Sequence, residues 1–284
     1  AVAIMSTIAC IAMLVPSIYI KERDYLEAKL ASYGAAVVSQ NVDIIAYNGD
    51  VLKARNIIAQ FQPEKTERIL LCAHWDTRPW ADSDPDPDMR YTPIDGANDG
   101  GSGVGALLEI ARQLSLNPTE LGIDIIFFDA EDYGTPAWHR GTYKPHDWCL
   151  GSQYWGRTPH VQGYYARYGI LLDMVGGKGG TFYYEPYSYR TARKEVKKIW
   201  EKAHELGYGS YFVKQEGSEV TDDHVYVNQL ARIPCVDIIN YDPVYENSSF
   251  GPTWHTVNDN ISNIDRNTLK AVGQTVMDVI YNEK

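Results

Sequence analysis

Several side chains of the types that bind zinc stand where short apolar runs of this sequence end. His74 follows the run at residues 68–72, and Asp173 follows the run at 170–172. The full series is His74, Asp76, Asp99, Glu131, Asp132, Asp173 and His255. Short apolar runs are typical of buried strands in an α/β sheet, and ligands gather at the carboxyl ends of such strands. The series therefore predicts a zinc enzyme whose ligands come from distant parts of the chain.

Each of these positions alone is weak evidence for a metal site, because an aspartate before a glycine-rich turn is most often a turn former or a helix cap. The series as a whole is more informative. Carboxylates placed directly after apolar strands must be desolvated or paired, and several at one sheet edge repel one another. A divalent cation removes that repulsion, and a catalytic zinc needs only three protein ligands.

Strand-like and helix-like stretches alternate along the chain. Strands are predicted at residues 36–39, 42–46, 56–61, 69–73, 123–128, 169–175, 181–185 and 234–240. Helices are predicted at 21–32, 104–114, 191–206 and 267–281. Long polar loops at 76–103 and 133–148 separate them, and loops of this length are usually functional or disordered. The alternation predicts an α/β sandwich with a central mixed, largely parallel sheet flanked by helices.

Length and charge limit the classes of function. A chain of 284 residues with 44% hydrophobic content can form one large core, so residues 17–284 are expected to form a single catalytic domain. The 26 basic and 37 acidic side chains give a net charge of −11, and no basic stripe is visible. Nucleic acid is therefore not expected as a partner.

The N-terminal segment, residues 1–16, carries no charge. It is either the tail of a secretory signal or anchor, or a buried helix. It is too short for a membrane span, and residues 7–10 match a bacterial lipoprotein cleavage site poorly. A periplasmic or extracellular protein is expected, with a lipid or signal anchor left open and no membrane span.

Four cysteines are few for this length. Cys72 and Cys235 lie inside apolar runs, where a thiol is usually inert packing. Free thiols are therefore expected, with a Cys10–Cys149 bond as the alternative in an oxidising compartment.

Short motifs follow one another in a characteristic order. They are His74-x-Asp76, Gly96-Ala97-Asn98-Asp99, Phe127-Phe128-Asp129-Ala130-Glu131-Asp132, Leu172-Asp173-Met174-Val175-Gly176 and Trp254-His255-Thr256. From about Tyr25 to the C-terminus, the chain resembles the zinc aminopeptidase superfamily that also contains the glutaminyl cyclases. The motif Thr221-Asp222-Asp223-His224, followed by Trp254-His255-Thr256, is more similar to the cyclases than to the peptidases. The resemblance therefore favours cyclisation over hydrolysis.

The resemblance implies a single catalytic zinc per chain, held by Asp99, Asp132 and His255. Asp132 departs from the family pattern, which has a glutamate there. Aspartate is one methylene shorter than glutamate, so its carboxylate reaches the ion only where the backbone lies closer. It still offers an oxygen ligand at this position of the motif. Glu131 matches the proton shuttle of the family.

The resemblance gives Asp173 two alternative roles. In the dinuclear aminopeptidases the matching aspartate, with residues matching His74 and Asp99, holds a second zinc. In the cyclases it stays free of metal and hydrogen-bonds the reacting group together with the residue matching Asp222. The ligand set therefore leaves one or two metals open, and in either case Asp76 is expected to orient the ring of His74.

Aromatic and apolar side chains near these motifs predict a small substrate pocket. The resemblance places Trp138, Val220 and Trp254 in its walls. The expected partners are peptides or proteins with an N-terminal glutamine, which would cyclise to pyroglutamate with release of ammonia. Glu131 would move the protons, and the zinc would polarise the side-chain amide.

Two other functions stay open. A di-zinc aminopeptidase would use Glu131 to activate water against the first peptide bond. A catalytically inactive module would keep the fold only to bind peptide N-termini. Metal content and the reaction product separate these alternatives from the cyclase.

Overall fold

A computed structural model describes residues 16–142 and 144–284 of the chain, with side chains from residue 21 onward. Residues 1–15, including Cys10, lie outside this part, so the predictions made for the N-terminal segment are not addressed by it. Among the described helices, none has the length and apolar character needed to cross a bilayer. Cys72, Cys149 and Cys235 are buried free thiols.

Eight strands form two sheets within the described residues. The strands are β1 (Ala36–Ile45), β2 (Val51–Phe61), β3 (Arg68–His74), β4 (Gly122–Phe128), β5 (Gly169–Asp173), β6 (Phe182–Tyr184), β7 (Phe212–Glu216) and β8 (Cys235–Ile239). The central sheet has the order β1-β2-β4-β3-β5-β8, and β6 pairs with β7 separately. Strands β4, β3, β5 and β8 are parallel, whereas β2 is antiparallel to β1 and β4. The predicted mixed, largely parallel sheet is confirmed.

Helices cover both faces of this sheet. They are α1 (Pro16–Ser32), α2 (Gly101–Leu116), α3 (Leu150–Arg157), α4 (Pro186–Thr191), α5 (Arg193–Glu205), α6 (Asp223–Leu230) and α7 (Arg266–Tyr281). On one face, Leu71 of β3 shares an apolar cluster with Leu107 of α2 and Val276 of α7. On the other, Leu70 shares a cluster with Trp155 of α3 and Val227 of α6. Alternate residues of a strand point to opposite faces. Because both faces of the sheet are covered, β3 and β4 are buried along their whole length.

Two differences from the sequence prediction have simple causes. The segments predicted at 36–39 and 42–46 form one strand, because Gln40 and Asn41 continue the pairing with β2. That strand lies at the edge of the sheet, where polar side chains remain hydrated. Strand β7 has three exposed residues and no apolar alternation, so the sequence carried little signal for it.

Candidate metal centre and active site

The parallel strands bring the predicted residues to one edge of the sheet. His74 is the last residue of β3 and pairs in register with Phe128, the last residue of β4. Asp173 is the last residue of β5. Glu131 and Asp132 follow β4 after a short turn. Parallel strands end at a common edge, so these side chains share one crevice.

Asp99 reaches this crevice from the turn before helix α2. A Cβ atom on Gly103 would lie 2.1 Å from the carbonyl oxygen of Leu172, so a glycine is needed for α2 to pack this closely on β5. The Asn98 side-chain oxygen also accepts a hydrogen bond from the backbone N–H of Gly176 at 2.8 Å. These contacts fix Asp99 beside the end of β5.

Asp99, Asp132 and His255 form the first candidate metal site. Nε2 of His255 lies 3.1 Å from Oδ1 of Asp132 and 3.6 Å from Oδ2 of Asp99. All three residues are buried. The second oxygen of Asp132, Oδ2, is also buried and has no hydrogen-bond partner within the described residues. An orphaned carboxylate oxygen is costly, and a cation bound here would satisfy it.

His74, Asp99 and Asp173 form a second buried group of potential ligands. Nε2 of His74 lies 3.0 Å from Oδ1 of Asp99 and 3.2 Å from Oδ1 of Asp173. Asp99 therefore presents one oxygen to each group. In this arrangement a carboxylate can bridge two metals, so the geometry of the ligands accommodates either one or two metal ions.

Two carboxylates that the sequence analysis missed support the first site. Asp82 lies 3.2 Å from Nδ1 of His255 and also accepts a 2.7 Å hydrogen bond from Arg78. Asp259 accepts a 3.0 Å hydrogen bond from the backbone N–H of Asp99. Metal-binding imidazoles commonly donate their other N–H to such an outer carboxylate, which fixes the ring and its tautomer.

Asp76 contacts both the His74 ring and the turn that follows β4. Nδ1 of His74 hydrogen-bonds to the backbone carbonyl of Asp76 at 3.1 Å, whereas the carboxylate lies 3.7 Å from that nitrogen. The two carboxylate oxygens instead accept hydrogen bonds from the backbone N–H groups of Glu131 and Asp132, each at 3.0 Å. Asp76 therefore shapes the turn that carries both acids.

Glu131 lies next to the first site. The thiol of Cys149 donates a hydrogen bond to its Oε1 at 3.2 Å. Burial raises the pKa of Glu131 well above its usual range, although the nearby His74 opposes the shift. A carboxyl group with a raised pKa is the kind of group that general acid–base catalysis uses.

The backbone is left-handed at four non-glycine residues of this region. They are Ala130, Cys149, Met174 and His255, with φ between 48° and 56°. Such conformations cost on the order of 1 kcal/mol or more each and persist where the surroundings hold them. Each lies at, next to or in contact with one of the acids or the imidazole of the site.

One cavity of about 450 Å³ gives access to these groups. Its lining includes Asp99, Glu131, Asp132, Trp148, Asp173, Val220, Asp222, Phe250, Trp254 and His255. The ring of Trp254 stacks on that of His255 with centroids 3.8 Å apart. The predicted ligands, the acids Asp173 and Asp222, and two of the three predicted wall residues therefore meet in one cavity.

Trp138 is the wall residue that the structure corrects. Its side chain is 38% exposed and packs on Trp80 and Tyr91, away from the lining of this cavity. Trp148, at the far end of the same loop, lines the cavity instead. A Cβ on Gly134 would lie 2.0 Å from the Trp148 ring, so Gly134 is the sequence feature that permits this packing.

Comparisons with known proteins agree with this geometry. The sequence profile of "Peptidase family M28" matches residues 56–280. The chain belongs to peptidase family M28. The crystal structure of Bacteroides thetaiotaomicron glutaminyl cyclase bound to N-acetylhistamine is 55% identical, covers 100% of this chain and 96% of that chain, and has a TM-score of 0.96. A Zn-dependent exopeptidase from Parabacteroides distasonis is 52% identical, with 99% and 96% covered and a TM-score of 0.95.

Curated relatives of this M28 member are more distant. The glutaminyl-peptide cyclotransferase of Gloydius blomhoffii is 28% identical, and the match covers 75% of this chain and 61% of that protein. The chain thus spans less than two thirds of that relative's length. The resemblance to glutaminyl cyclases within a zinc-exopeptidase fold is confirmed.

The donor set of this M28 member fits zinc. Two carboxylates and one imidazole make a three-ligand set of the kind that catalytic zinc sites use, with a further position left for a substrate. The unpaired Oδ2 of Asp132 and the outer carboxylate of Asp82 are both explained by a cation between the three ligands. The chain is a member of a zinc-dependent family that carries the matching ligand groups.

Replacing Asp82 tests the outer carboxylate. We expect Asp82→Asn to weaken zinc binding by about 10- to 100-fold, because the His255 ring loses the charged partner of its Nδ1–H. Zinc affinity is measured by competition with a chelator of known affinity. Asp88→Asn, an exposed change in the same loop, is the matched control and should leave the affinity unchanged. Equal affinities for both variants would exclude this role for Asp82.

Proposed function

We propose that this M28 member cyclises the N-terminal glutamine of peptides or proteins to pyroglutamate, using one zinc per chain. The observation that carries the proposal is the meeting of three further acids, Glu131, Asp173 and Asp222, in the cavity that contains the Asp99–Asp132–His255 group. The 55% identity to a bacterial glutaminyl cyclase over the whole chain supports it.

The reaction is an acyl transfer within the substrate. The α-amine nitrogen forms a bond to the side-chain amide carbon, the bond from that carbon to the amide nitrogen breaks, and ammonia leaves. The substrate itself supplies the proximity of nucleophile and carbonyl, so the enzyme mainly has to orient the two groups and move protons. A zinc bound by Asp99, Asp132 and His255 supplies Lewis-acid polarisation of the amide carbonyl.

Glu131 is suited to the proton transfers. The α-ammonium must lose one proton to become a nucleophile and a second one as the ring closes, and the departing nitrogen must gain one. Glu131 accepts the first proton and delivers it to the leaving nitrogen, which requires a carboxyl pKa near the working pH. Its burial raises the pKa in that direction, and the Cys149 thiol holds Oε1 in place.

Asp173 and Asp222 are suited to hold the polar end of the substrate. Both line the cavity, and both are buried. Burial, together with the charge of Asp173, raises the pKa of Asp222 to about 7. Oδ2 of Asp222 has no hydrogen-bond partner within the described residues. A substrate amine or amide N–H donated to this oxygen would satisfy it.

An asymmetry between the two ligand groups supports one zinc rather than two. Both ring nitrogens of His74 have partners, since Nδ1 bonds the Asp76 carbonyl and Nε2 bonds Asp173. Asp173 Oδ1 is therefore already paired. In the first group, by contrast, an oxygen of Asp132 remains without a partner. Of these two groups, only the first has a buried oxygen without a partner among the described residues.

A metal-dependent aminopeptidase is the second candidate, favoured by the position of Asp99 between the two groups. Its oxygens lie 3.0 Å from His74 and 3.6 Å from His255. With two metals bound, Glu131 would serve as the base for water attack on the first peptide bond. The similar structure from Parabacteroides distasonis is described as a Zn-dependent exopeptidase.

One assay separates the candidates. The purified zinc-loaded chain is incubated with peptides that begin with glutamine, and with matched peptides that begin with leucine. The cyclase predicts loss of the mass of ammonia from the glutamine peptides alone, with one zinc per chain by elemental analysis. Release of free N-terminal residues with two zinc ions would establish the aminopeptidase instead, and unchanged peptides would indicate a binding module.

We also propose a periplasmic or extracellular location. The uncharged stretch of residues 1–16 supports it, and fractionation of cells that produce the natural protein tests it. Recovery of the protein only with cytoplasmic markers would contradict it.

A further inference from the structure

One wall of the cavity is a segment without regular secondary structure. Residues 217–222 run from the end of β7 to the start of α6 and place Val220 and Asp222 against the cavity. A segment of this kind has no ladder or helix bonds of its own to hold it. Its position therefore depends on side-chain and backbone contacts from neighbouring elements.

Glu185 supplies one of these contacts and also joins the two helices on either side. Glu185 is only 2% exposed and is the N-cap residue of helix α4. Its carboxylate accepts hydrogen bonds from the backbone N–H groups of Tyr187 and Ser188 at 2.9 and 2.6 Å. Oε1 also accepts a bond from the backbone N–H of Val220 at 3.3 Å. Oε2 lies 3.1 Å from Nε2 of His224, in the first turn of α6.

The same carboxylate thus contacts the segment near its centre and just beyond its end. The start of the segment is held beside it, because Gly217 donates its N–H to the carbonyl of Tyr184 at 2.9 Å. His224 is fully buried, and its other nitrogen lies 3.4 Å from Asp237 on β8. The segment is therefore anchored at several points, which are Gly217 on Tyr184, Glu219 on Arg190 of α4 at 2.6 Å, and Val220 on Glu185.

Asp222 has a separate support. Its side chain caps α6 by accepting a hydrogen bond from the backbone N–H of Asp223 at 2.5 Å. It therefore keeps its place on the helix even where the Glu185–Val220 contact is lost. The backbone N–H of Val220 bonds to Glu185, and the neighbouring Glu219 is held only by an exposed ion pair with Arg190. A change at Glu185 should therefore displace the apolar wall more than the acid.

We infer that Glu185 is a positioning residue, which sets the substrate wall through its reach to Val220 and His224. The inference rests on the proposed function, because it assigns the wall to the binding of the N-terminal residue. What matters in this arrangement is the length of the side chain, since the carboxylate must cap α4 and still touch the segment. The contact that reaches the wall does not need the charge, because Val220 donates from a neutral backbone N–H group. The charge acts on His224, which lies 3.1 Å from Oε2.

Two substitutions separate length from charge. Glu185→Asp keeps the charge and a good helix cap but is one methylene too short to reach Val220. Glu185→Gln keeps the length and one oxygen that can accept the N–H groups of Tyr187 and Val220, whereas its amide nitrogen replaces the oxygen that accepts from Ser188. We expect Glu185→Asp to raise KM for a glutamine-initiated peptide about fivefold, which is ~1 kcal/mol, and to change kcat by less than about twofold. Glu185→Gln should change KM by less than about twofold.

The controls make each outcome decisive. Glu201→Asp, an exposed change on α5, should behave as the wild type, and melting temperatures show whether each variant is folded. An unchanged KM in Glu185→Asp, or a larger effect in Glu185→Gln, would overturn the inference. A wild type that releases no ammonia would contradict the proposed function instead, and the Kd of the same peptide would then be compared across the same variants.

Discussion

Glu131→Gln is expected to lower kcat for cyclisation by about 10²- to 10⁴-fold. The amide keeps the size of the side chain and its bond to Cys149, but it cannot take a proton from the substrate amine. Asp132, the neighbouring candidate ligand, keeps its backbone bond to Asp76 at 3.0 Å, so the metal site should remain intact. The variant should therefore bind as much zinc as the wild type. Steady-state kinetics and elemental analysis on the same preparation measure both quantities.

A matched change elsewhere controls for the loss of one negative charge. Glu64→Gln replaces an exposed glutamate outside the cavity and should retain full activity. Full activity in Glu131→Gln would show that another group moves the protons. Loss of zinc from Glu131→Gln would show that Glu131 contributes to binding the metal, which would revise the separation between ligand and shuttle.

The sequence predicted the sheet and the crevice well because both follow from local patterns. Apolar runs marked β3, β4, β5 and β8, and the acids and the histidine at their ends were readable without any knowledge of tertiary contacts. Parallel pairing then places strand ends together whatever the remaining connections are. The strand ends therefore predicted the position of His74 and Asp173 correctly.

The supporting residues could not be read in the same way. Asp82 and Asp259 lie in polar loops, where an aspartate is usually a turn former, and their partners are far away in the chain. Nothing in the local sequence distinguishes Asp82 from Asp84 or Asp86. The same holds for Glu185, whose role depends on a contact with Val220 that is 35 residues distant. Such contacts are properties of the tertiary structure alone.

The aromatic wall shows a different limit. The resemblance placed Trp138, in the loop after Glu131, in the cavity wall, but Trp148 of the same loop lines the cavity instead. Arg78 lies over the Trp148 ring at 4.5 Å and also bonds the backbone carbonyl of Asp132 at 2.7 Å. The loop is thus oriented by the buried guanidinium of Arg78, and sequence distance from Glu131 carries no information about which tryptophan lines the cavity.

His255→Ala is expected to abolish both zinc binding and cyclisation. The imidazole is the only nitrogen donor in the first group, and the remaining pair, Asp99 and Asp132, would hold the ion with oxygen alone. The loss of zinc affinity in His255→Ala should be larger than in Asp82→Asn, where it is expected to be about 10- to 100-fold. Elemental analysis after dialysis and ammonia release measure the two effects. His139→Ala, an exposed change, is the control.

The same measurement on His74→Gln decides the number of metals. With one zinc at the first group, His74→Gln should keep one ion per chain, because His74 lies 3.0 Å from the oxygen of Asp99 that faces away from His255. With two metals, wild type would hold two ions and His74→Gln about one, since the second group would lose its only imidazole. The comparison of His255→Ala with His74→Gln therefore tests each group separately. The two groups can be tested separately because Asp99 offers one oxygen to each histidine. We expect one zinc, because the buried oxygen without a partner belongs to Asp132 of the first group.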